Sequence, residues 1–298
     1  MTLPYARVIA DSVPARSIID DDTTRSHERL TTFEVGFHRW ILAEVNTHRM
    51  LSRNYRSSRA VPVTKLLHEV RTTPAMPITW MKNKPGMEAT EMMTLAEQAV
   101  AEELWMQGAK EAATTAEMLA ASGLHKQWAN RVLEPYMFTY GVITGSDPYW
   151  DNFFDLRMAP DAQPEFQALA RAMWDARQAS MPISLKPGEW HLPYISAQER
   201  YHQTTIKNEP LSLVRWSTAR MARVSIKPHD SDSIDTDKDE ALFHRLLVQK
   251  HMSPFEHTAT PHVEGGINNR NGNFSSAWVQ YRKLIPGENG VHQLGVKW

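Results

Sequence analysis

Cysteine is absent from the 298 residues. That removes disulfides, thiolate metal sites and every mechanism built on a cysteine nucleophile. A surplus of charge of one sign is also missing: 33 Lys and Arg stand against 34 Asp and Glu, a formal net charge of -1. No global basic field exists to hold a long nucleic-acid backbone, and DNA or RNA is set aside as a partner. A small anion needs only a local cluster of arginines. No apolar run approaches the roughly 20 residues that cross a bilayer. The opening stretch MTLPYARVIADSVPAR lacks the basic start and apolar run of a signal peptide, so a cytoplasmic protein with no membrane partner is expected. Neither common glycine-rich phosphate loop occurs, which argues against a Rossmann or P-loop fold.

What is present is the balance of a globular protein, 42% apolar and 22% charged, in a chain long enough to bury a large core. Tyr5–Val13 reads as a strand, and Ile18–Glu28 as a turn-rich acidic stretch. Arg29–His38 alternates, with Leu30, Thr32, Glu34 and Gly36 on one face and Thr31, Phe33, Val35 and Phe37 on the other, the pattern of a half-buried strand. Trp40–Met50 has helical spacing, and Ser52–Val63 reads as an arginine-dense loop. Glu88–Ala121 predicts a long helix with Met92, Leu95, Ala99 and Met106 facing inward, an interruption at Gly108 and an end at Gly123. Lys126–Leu133 and Pro164–Ala179 predict further helices, the second with Phe166, Leu169, Ala170 and Met173 inward. Ile195–Pro210 is weakly patterned and marks a connection between two sequence modules. Leu211–Val224 and Glu240–Lys250 read as helices, Thr258–Glu264 as a strand and Phe274–Leu284 as a final helix. The fold class expected is α/β (α+β), a central mixed sheet with long helices.

Three clusters hold residues suited to chemistry. Asn46–Arg59 packs four arginines, three serines, one histidine and two asparagines into fourteen residues. Arginines offer bidentate donors to phosphate and serines complete the set, although a solvated basic loop has the same composition. His251 and Ser253–His257 form a second cluster, either a simple turn or part of a metal set with His262. Its spacing matches no closed zinc signature, and no metal is assigned. Arg131 and Arg157 form the third, and taken alone they read as surface ion pairs.

Together these segments resemble the flavin-dependent thymidylate synthases. That family's Arg-His-Arg, seven residues, Ser signature is matched by Thr47-His48-Arg49, seven residues and Ser57, continuing to Arg59. The family's Ala-Arg-Val-Ser segment stands as Ala222–Ser225, and its Ser-Pro-Phe-Glu-His turn as Ser253–His257. The arginine helix ending in Leu-x-Pro stands as Arg131–Pro135, and the Asn-x-x-x-Leu-Arg segment as Asn152–Arg157. The order differs: Ala222–Ser225 and Ser253–His257 precede the signature in the family and follow it here. The chain therefore reads as circularly permuted. Residues 1–196 would carry the signature and the helical region, residues 197–298 would match the family's N-terminal segment, and the two would fold together as one domain.

The resemblance implies C5 methylation or hydroxymethylation of a pyrimidine deoxynucleoside monophosphate, dUMP favoured, with methylenetetrahydrofolate as one-carbon donor, FAD as cofactor and NADPH as reductant. It implies a phosphate held by Ser57, Arg59 and Arg131, and a base read by Arg157, which also stabilises charge on the ring during catalysis. Contacts with flavin would fall on His48, Arg49, Asn54, Asn152, Ser225, His251, Ser253 and Glu256, with sites shared in a homotetramer. A flavin route needs no cysteine. Departures are Thr47 for the first signature arginine, Glu44 for a glutamine, Tyr55 and Arg56 inside the signature, Ser146–Pro148 for a flavin-touching Asn-x-Arg, and Asp161 for a histidine. A glutamate accepts where a glutamine can also donate, which keeps dCMP as a rival substrate. A nucleotide-binding relative without flavin or catalysis is the other alternative.

Overall fold

The computed structural model describes residues 4–15, 28–86, 91–223, 235–263 and 267–288. In chain order the elements are β1 (Tyr5–Pro14), β2 (Leu30–His38), α1 (Leu42–Val45), β3 (Ser52–Tyr55), α2 (Val63–Thr72), α3 (Leu95–Ala121), α4 (Lys126–Ala129) and β4 (Phe138–Ser146). Then come α5 (Tyr149–Arg157), α6 (Pro164–Gln178), β5 (Ile183–Leu185), α7 (Ala197–Tyr201), α8 (Pro210–Arg223), α9 (Thr236–Val248), β6 (Ala259–Pro261) and β7 (Trp278–Gln280). Five strands form a mixed sheet in the order β3-β4-β2-β1-β5, in which β5 runs parallel to β1 and the other pairs are antiparallel. Strands β6 and β7 form a separate pair. The α/β class with a mixed sheet is what the sequence led us to expect.

The alternation in β2 sorts its side chains as the sequence predicts, but the strand is not half-buried: every residue from Leu30 to His38 is buried. The reason is that both faces are covered. Phe33, Val35 and Phe37 pack with Ile143, Trp150, Phe153, Phe166 and Met173, under α5 and α6. Leu30 packs with Ala259, Phe274 and Trp278, and Val142 packs with Met221 of α8, so the C-terminal third covers the other face. Each of these fully buried large side chains contributes about 1.5–3 kcal/mol. A third cluster joins α2, α3 and residues 133–137 beside the sheet.

Several local expectations are corrected. The Trp40–Met50 helix is only a 3-10 turn at Arg39–Ile41 followed by α1. The arginine-dense segment begins as β3, paired with β4, before it becomes a loop. Helix α3 runs unbroken through Gly108, which lies where the Tyr136 ring crosses: a Cβ there would sit 2.5 Å from the Tyr136 hydroxyl. Close approach, and not a break, accounts for that glycine. Gly123, at φ +91°, ends the helix as expected. The helix starts at the capping box of Thr94 and Glu97, and its buried residues are Ala109, Ala113 and Ala116. Leu95 is 84% exposed and Met92 51%, so the inward face was assigned wrongly. Alanines, which let α2 and residues 130–136 approach closely, carry the contact instead. Residues 274–284 are not a helix but β7 followed by a 3-10 turn at Tyr281–Leu284. The acidic stretch 18–27 lies outside the described residues.

Among the described residues no helix is long and apolar enough to cross a membrane.

Candidate active site

Register on the sheet decides which way the signature residues point. Residues directly opposite in an antiparallel pair share a face. Arg53 is opposite Ile143, while Ser52 and Asn54 are opposite Thr144 and Val142. Arg53 thus lies on the α5–α6 side, and Ser52 and Asn54 lie on the side covered by the C-terminal third.

On the first side, His48 and Arg157 meet. Arg157, in the last turn of α5, donates from Nε to His48 Nε2 at 2.9 Å and from Nη2 to Thr47 Oγ1 at 3.4 Å. Its guanidinium lies 4.4 Å from the centroid of the Phe166 ring, a cation–π contact. The His48 ring stacks near Phe166 and meets Phe153 edge-on. Burial lowers the His48 pKa to about 4, helped by the positive charges of Arg157 and Arg53. His48 is therefore a neutral acceptor at pH 7. Burial also lowers the pKa of Arg157, against the opposing charge of Glu44. Arg49 and Asn152 are exposed nearby in sequence, on the turn after α1 and on α5.

At the sheet's outer end, the loop after β3 and the segment 130–136 are tied together. Asn130 Nδ2 donates to the carbonyl oxygens of Ser58 at 2.7 Å and Val61 at 3.0 Å. Glu134 accepts from Ser58 Oγ at 2.6 Å and from Arg131 Nη1 at 2.8 Å. Arg59 and Arg131 are both exposed and Ser57 is partly exposed; Ser57 and Arg59 flank Ser58, whose hydroxyl shares Glu134 with Arg131. The two segments that carry the three expected phosphate ligands are thus joined. Asn130 and Glu134, which join the two segments, flank Arg131 in the sequence but were given no role there.

On the other side of the sheet, Asn54 Nδ2 donates to the carbonyl oxygen of Met221 in α8 at 3.4 Å. The 3-10 turn Ser253–Glu256 packs beside β3, and the following His257 accepts or donates at Nδ1 to Thr144 Oγ1 at 2.7 Å. Glu256 is not alone: Arg282 pairs with it, and its carbonyl oxygen accepts from Gln280 Nε2 at 3.1 Å. Asn273 links this group to the signature, donating from Nδ2 to the carbonyl oxygen of Met50 and to Ser52 Oγ. Gln280 and Arg282 were missed because the segment 274–284 was read as a helix, whereas Gln280 ends β7 and Arg282 lies in the 3-10 turn after it; Asn273, just before that segment, carried no signal. His251 is exposed just beyond α9. Ser225 lies outside the described residues. Asn54, Ser253 and Glu256 thus share one side of the sheet, while the His48 ring packs on the other. Among the described residues no group of three or more His, Asp or Glu could hold a metal ion.

The departures inside the signature have structural work. The Tyr55 ring meets Phe37 edge-on and fills the space above Gly141, where a Cβ would lie 2.2 Å from its Cδ1. Arg56 is buried, pairs with Glu69 and lies over the Tyr140 ring. Asp147 is held in a buried ion pair with Arg177 at 2.7 Å. Thr47 Oγ1 donates to the carbonyl oxygen of Glu44 at 2.6 Å, which brings the two substituted positions together beside Arg157.

Comparison with known proteins gives the following. A comparison with curated proteins finds no match. Among solved structures, the chain is similar to a UMP/dUMP methylase, PolB from Streptomyces cacaoi, bound with 5-Br UMP. The TM-score is 0.47 and the identity 16%, over 59% of this chain and 89% of that one. PolB bound with 5-Br dUMP gives a TM-score of 0.42 and 20% identity, over 51% of this chain and 67% of that one. Residues 22–183, more than half of the chain, match the family described as thymidylate synthase complementing protein. That range holds the signature, Arg131 and Arg157. The chain therefore belongs to the thymidylate synthase complementing protein family, whose members are flavin-dependent thymidylate synthase-like methyltransferases.

Proposed function

We propose that this enzyme adds a methyl or hydroxymethyl group to C5 of a pyrimidine deoxynucleoside monophosphate, dUMP favoured. The one-carbon group would come from methylenetetrahydrofolate and the reducing equivalents from NADPH. The observation that carries the reading is the joining of the segments that carry Ser57, Arg59 and Arg131, a residue set that suits a phosphate dianion. Each arginine offers charge-assisted donors, and Glu134, which now accepts from Arg131, can give way to a stronger acceptor.

Arg157 would read the base. Its guanidinium is held over the Phe166 ring and anchored by neutral His48, so its remaining N–H groups are oriented before substrate arrives. Positive charge so placed stabilises negative charge on the ring carbonyls as C5 becomes nucleophilic. Glu44 lies near enough to Arg157 to oppose the effect of burial on its pKa, and this favours the second reading, dCMP, since a carboxylate accepts from an exocyclic amino group.

FAD supplies the redox chemistry of the reaction when bound. The donor set suits such a dinucleotide: a cation at Arg49, amides at Asn54 and Asn152, hydroxyls at Ser225 and Ser253, imidazoles at His48 and His251, and a carboxylate at Glu256. Arg49, Asn152 and His251 are exposed, as residues that receive a ligand should be. His48 and Asn54 lie on opposite sides of the sheet, and this supports sites completed between copies in a homotetramer. Permutation of the chain, with residues 197–298 as the transposed N-terminal module, is part of the same reading. It rests on the Ala222–Ser225 and Ser253–His257 segments, whose family counterparts precede the signature.

The test is to incubate the purified protein with FAD, NADPH, methylenetetrahydrofolate and either dUMP or dCMP, and to weigh the nucleotide by mass spectrometry. A methyl or hydroxymethyl gain on one of them is expected. A colourless protein that binds nucleotide and leaves both unchanged would replace this reading with that of a non-catalytic relative.

A further inference from the structure

The face of the sheet under the C-terminal third carries a row of buried polar groups that the proposed reaction does not use. Ser12 Oγ lies 2.9 Å from His191 Nδ1, and His191 Nε2 lies 2.8 Å from Thr32 Oγ1. Thr32 Oγ1 lies 2.7 Å from Thr144 Oγ1, directly opposite it on the neighbouring strand, and Thr144 Oγ1 lies 2.7 Å from His257 Nδ1. All five residues are buried. His257 Nε2 is buried without a hydrogen-bond partner among the described residues.

Contacts this short each need one proton between the two heavy atoms. A hydroxyl has one proton to give, and a neutral imidazole has one. Both histidines are neutral: burial lowers each pKa to about 3, with Arg200 adding to the effect at His191 and His191 adding to it at His257. Besides its two one-way arrangements, the row could converge on Thr32 or Thr144, since a hydroxyl can accept twice, but that leaves two groups unmet, the proton of that hydroxyl and the Nε2 lone pair of His257. Running from His257 towards Ser12, it leaves two groups unmet: the Ser12 hydroxyl proton, which has no acceptor among the described residues, and the Nε2 lone pair of His257. Running from Ser12 towards His257, every proton is used except the last. An unmet buried polar group costs about 1–3 kcal/mol, so the arrangement with one such group prevails over those with two.

We propose that these five groups form one polarised hydrogen-bond chain from Ser12 to His257, which holds both histidines as Nε2–H tautomers and makes His257 a hydrogen-bond donor at its buried Nε2. Ser12, His191, Thr32 and Thr144 are positioning residues in this chain and act through His257. Since His257 closes the Ser253–Glu256 turn, the chain also ties that turn to three strands of the sheet. The bearing of this on flavin rests on the proposed function; the tautomers do not.

The test is long-range proton–nitrogen NMR on protein labelled with 15N-histidine, at neutral pH and without ligand. Two buried neutral histidines, each with its proton on Nε2, are expected. Thr144→Val removes the only donor to His257 Nδ1 among the described residues, and the single tautomer of His257 should be lost to a mixture. Thr144→Ser keeps the hydroxyl and should keep the wild-type spectrum. A proton on Nδ1 of either histidine in the wild type overturns the proposal, and that measurement needs no variant to fold. An unchanged His257 spectrum in folded Thr144→Val overturns it as well. FAD binding, followed separately by its absorbance, bears on the proposed function: failure to bind flavin with the tautomers as stated sinks that reading and leaves this one standing.

Discussion

Arg157 donates a hydrogen bond from Nε to His48 Nε2 across 2.9 Å, and so fixes the imidazole as an acceptor there. The two residues are 109 apart in sequence. Neutral His48 keeps the two cations of this corner, Arg157 and Arg53, from facing a third. Removing the Arg157 charge should raise the His48 pKa from about 4, while burial, the larger cause, keeps it below its usual 6.5. NMR titration of Arg157→Gln checks this without any ligand. A His48 pKa that does not rise would mean that Arg157 exerts no field there.

Arg59→Ala and Arg131→Ala should each weaken binding of dUMP or dCMP about tenfold or more, since a hydrogen bond to a charged group is worth roughly 1.5–3 kcal/mol. Flavin content should stay nearly constant in both. Isothermal titration of the nucleotides, together with the flavin absorbance of each variant, separates the two effects. Equal nucleotide affinity in both variants would remove the phosphate assignment.

His191 and His257 make stability depend on acid. Their pKa values in the folded chain, about 3, lie below the unfolded value near 6.5. The unfolded chain therefore takes up more protons between those limits, and stability falls as pH drops through that window. Above about 6.5 these two groups have no effect. Each contributes a slope of up to about 1.4 kcal/mol per pH unit. Urea unfolding between about pH 7.5 and 5, before most carboxylates titrate, should show the loss, and His257→Gln should make it shallower. A flat profile in the wild type would contradict the buried neutral state.

Arg220 should be the most costly single charge to delete. It donates from Nε to Asp239 Oδ2 at 2.9 Å and from Nη2 to Glu199 Oε1 at 2.7 Å, with all three side chains largely buried. Glu199 also closes the capping box of α7 on Ser196. Arg220→Met keeps the volume and strands the carboxylates, although Arg223 still reaches Asp239. A loss of about 3–5 kcal/mol in unfolding free energy is expected. A loss under about 1 kcal/mol would show that the carboxylates find other partners.

The sequence made the sheet side of this fold legible where hydrophobic alternation and turn chemistry agreed. The strand ending at His38 and the helix whose Phe166, Leu169, Ala170 and Met173 face inward are both found. Failure came where burial was decided by distant residues. Nothing local in Leu30–His38 says that residues near 259, 274 and 278 will cover its second face, and nothing in Met92 or Leu95 says that they will be left outside. The candidate site divides in the same way. Ser57, Arg59 and Arg131 could be grouped from the family motif, whereas Gln280 and Arg282 could not, because a short strand and a 3-10 turn were read as one helix, and Asn273 just before them matches no motif. His191 carried no sequence signal at all: it matters through the hydroxyls of Ser12, Thr32 and Thr144, which three different strands bring to it.

The cover over the second face of the sheet has a consequence for how the protein is made. All five strands of the main sheet are complete once residue 185 has been synthesised. Met221, Ala259, Phe274 and Trp278, which seal that face, are still to come. At about 5–20 residues per second, the emerging chain carries Leu30 and Val142 uncovered for several seconds or longer. That interval is when a nascent copy is open to chaperones, or to the wrong neighbour.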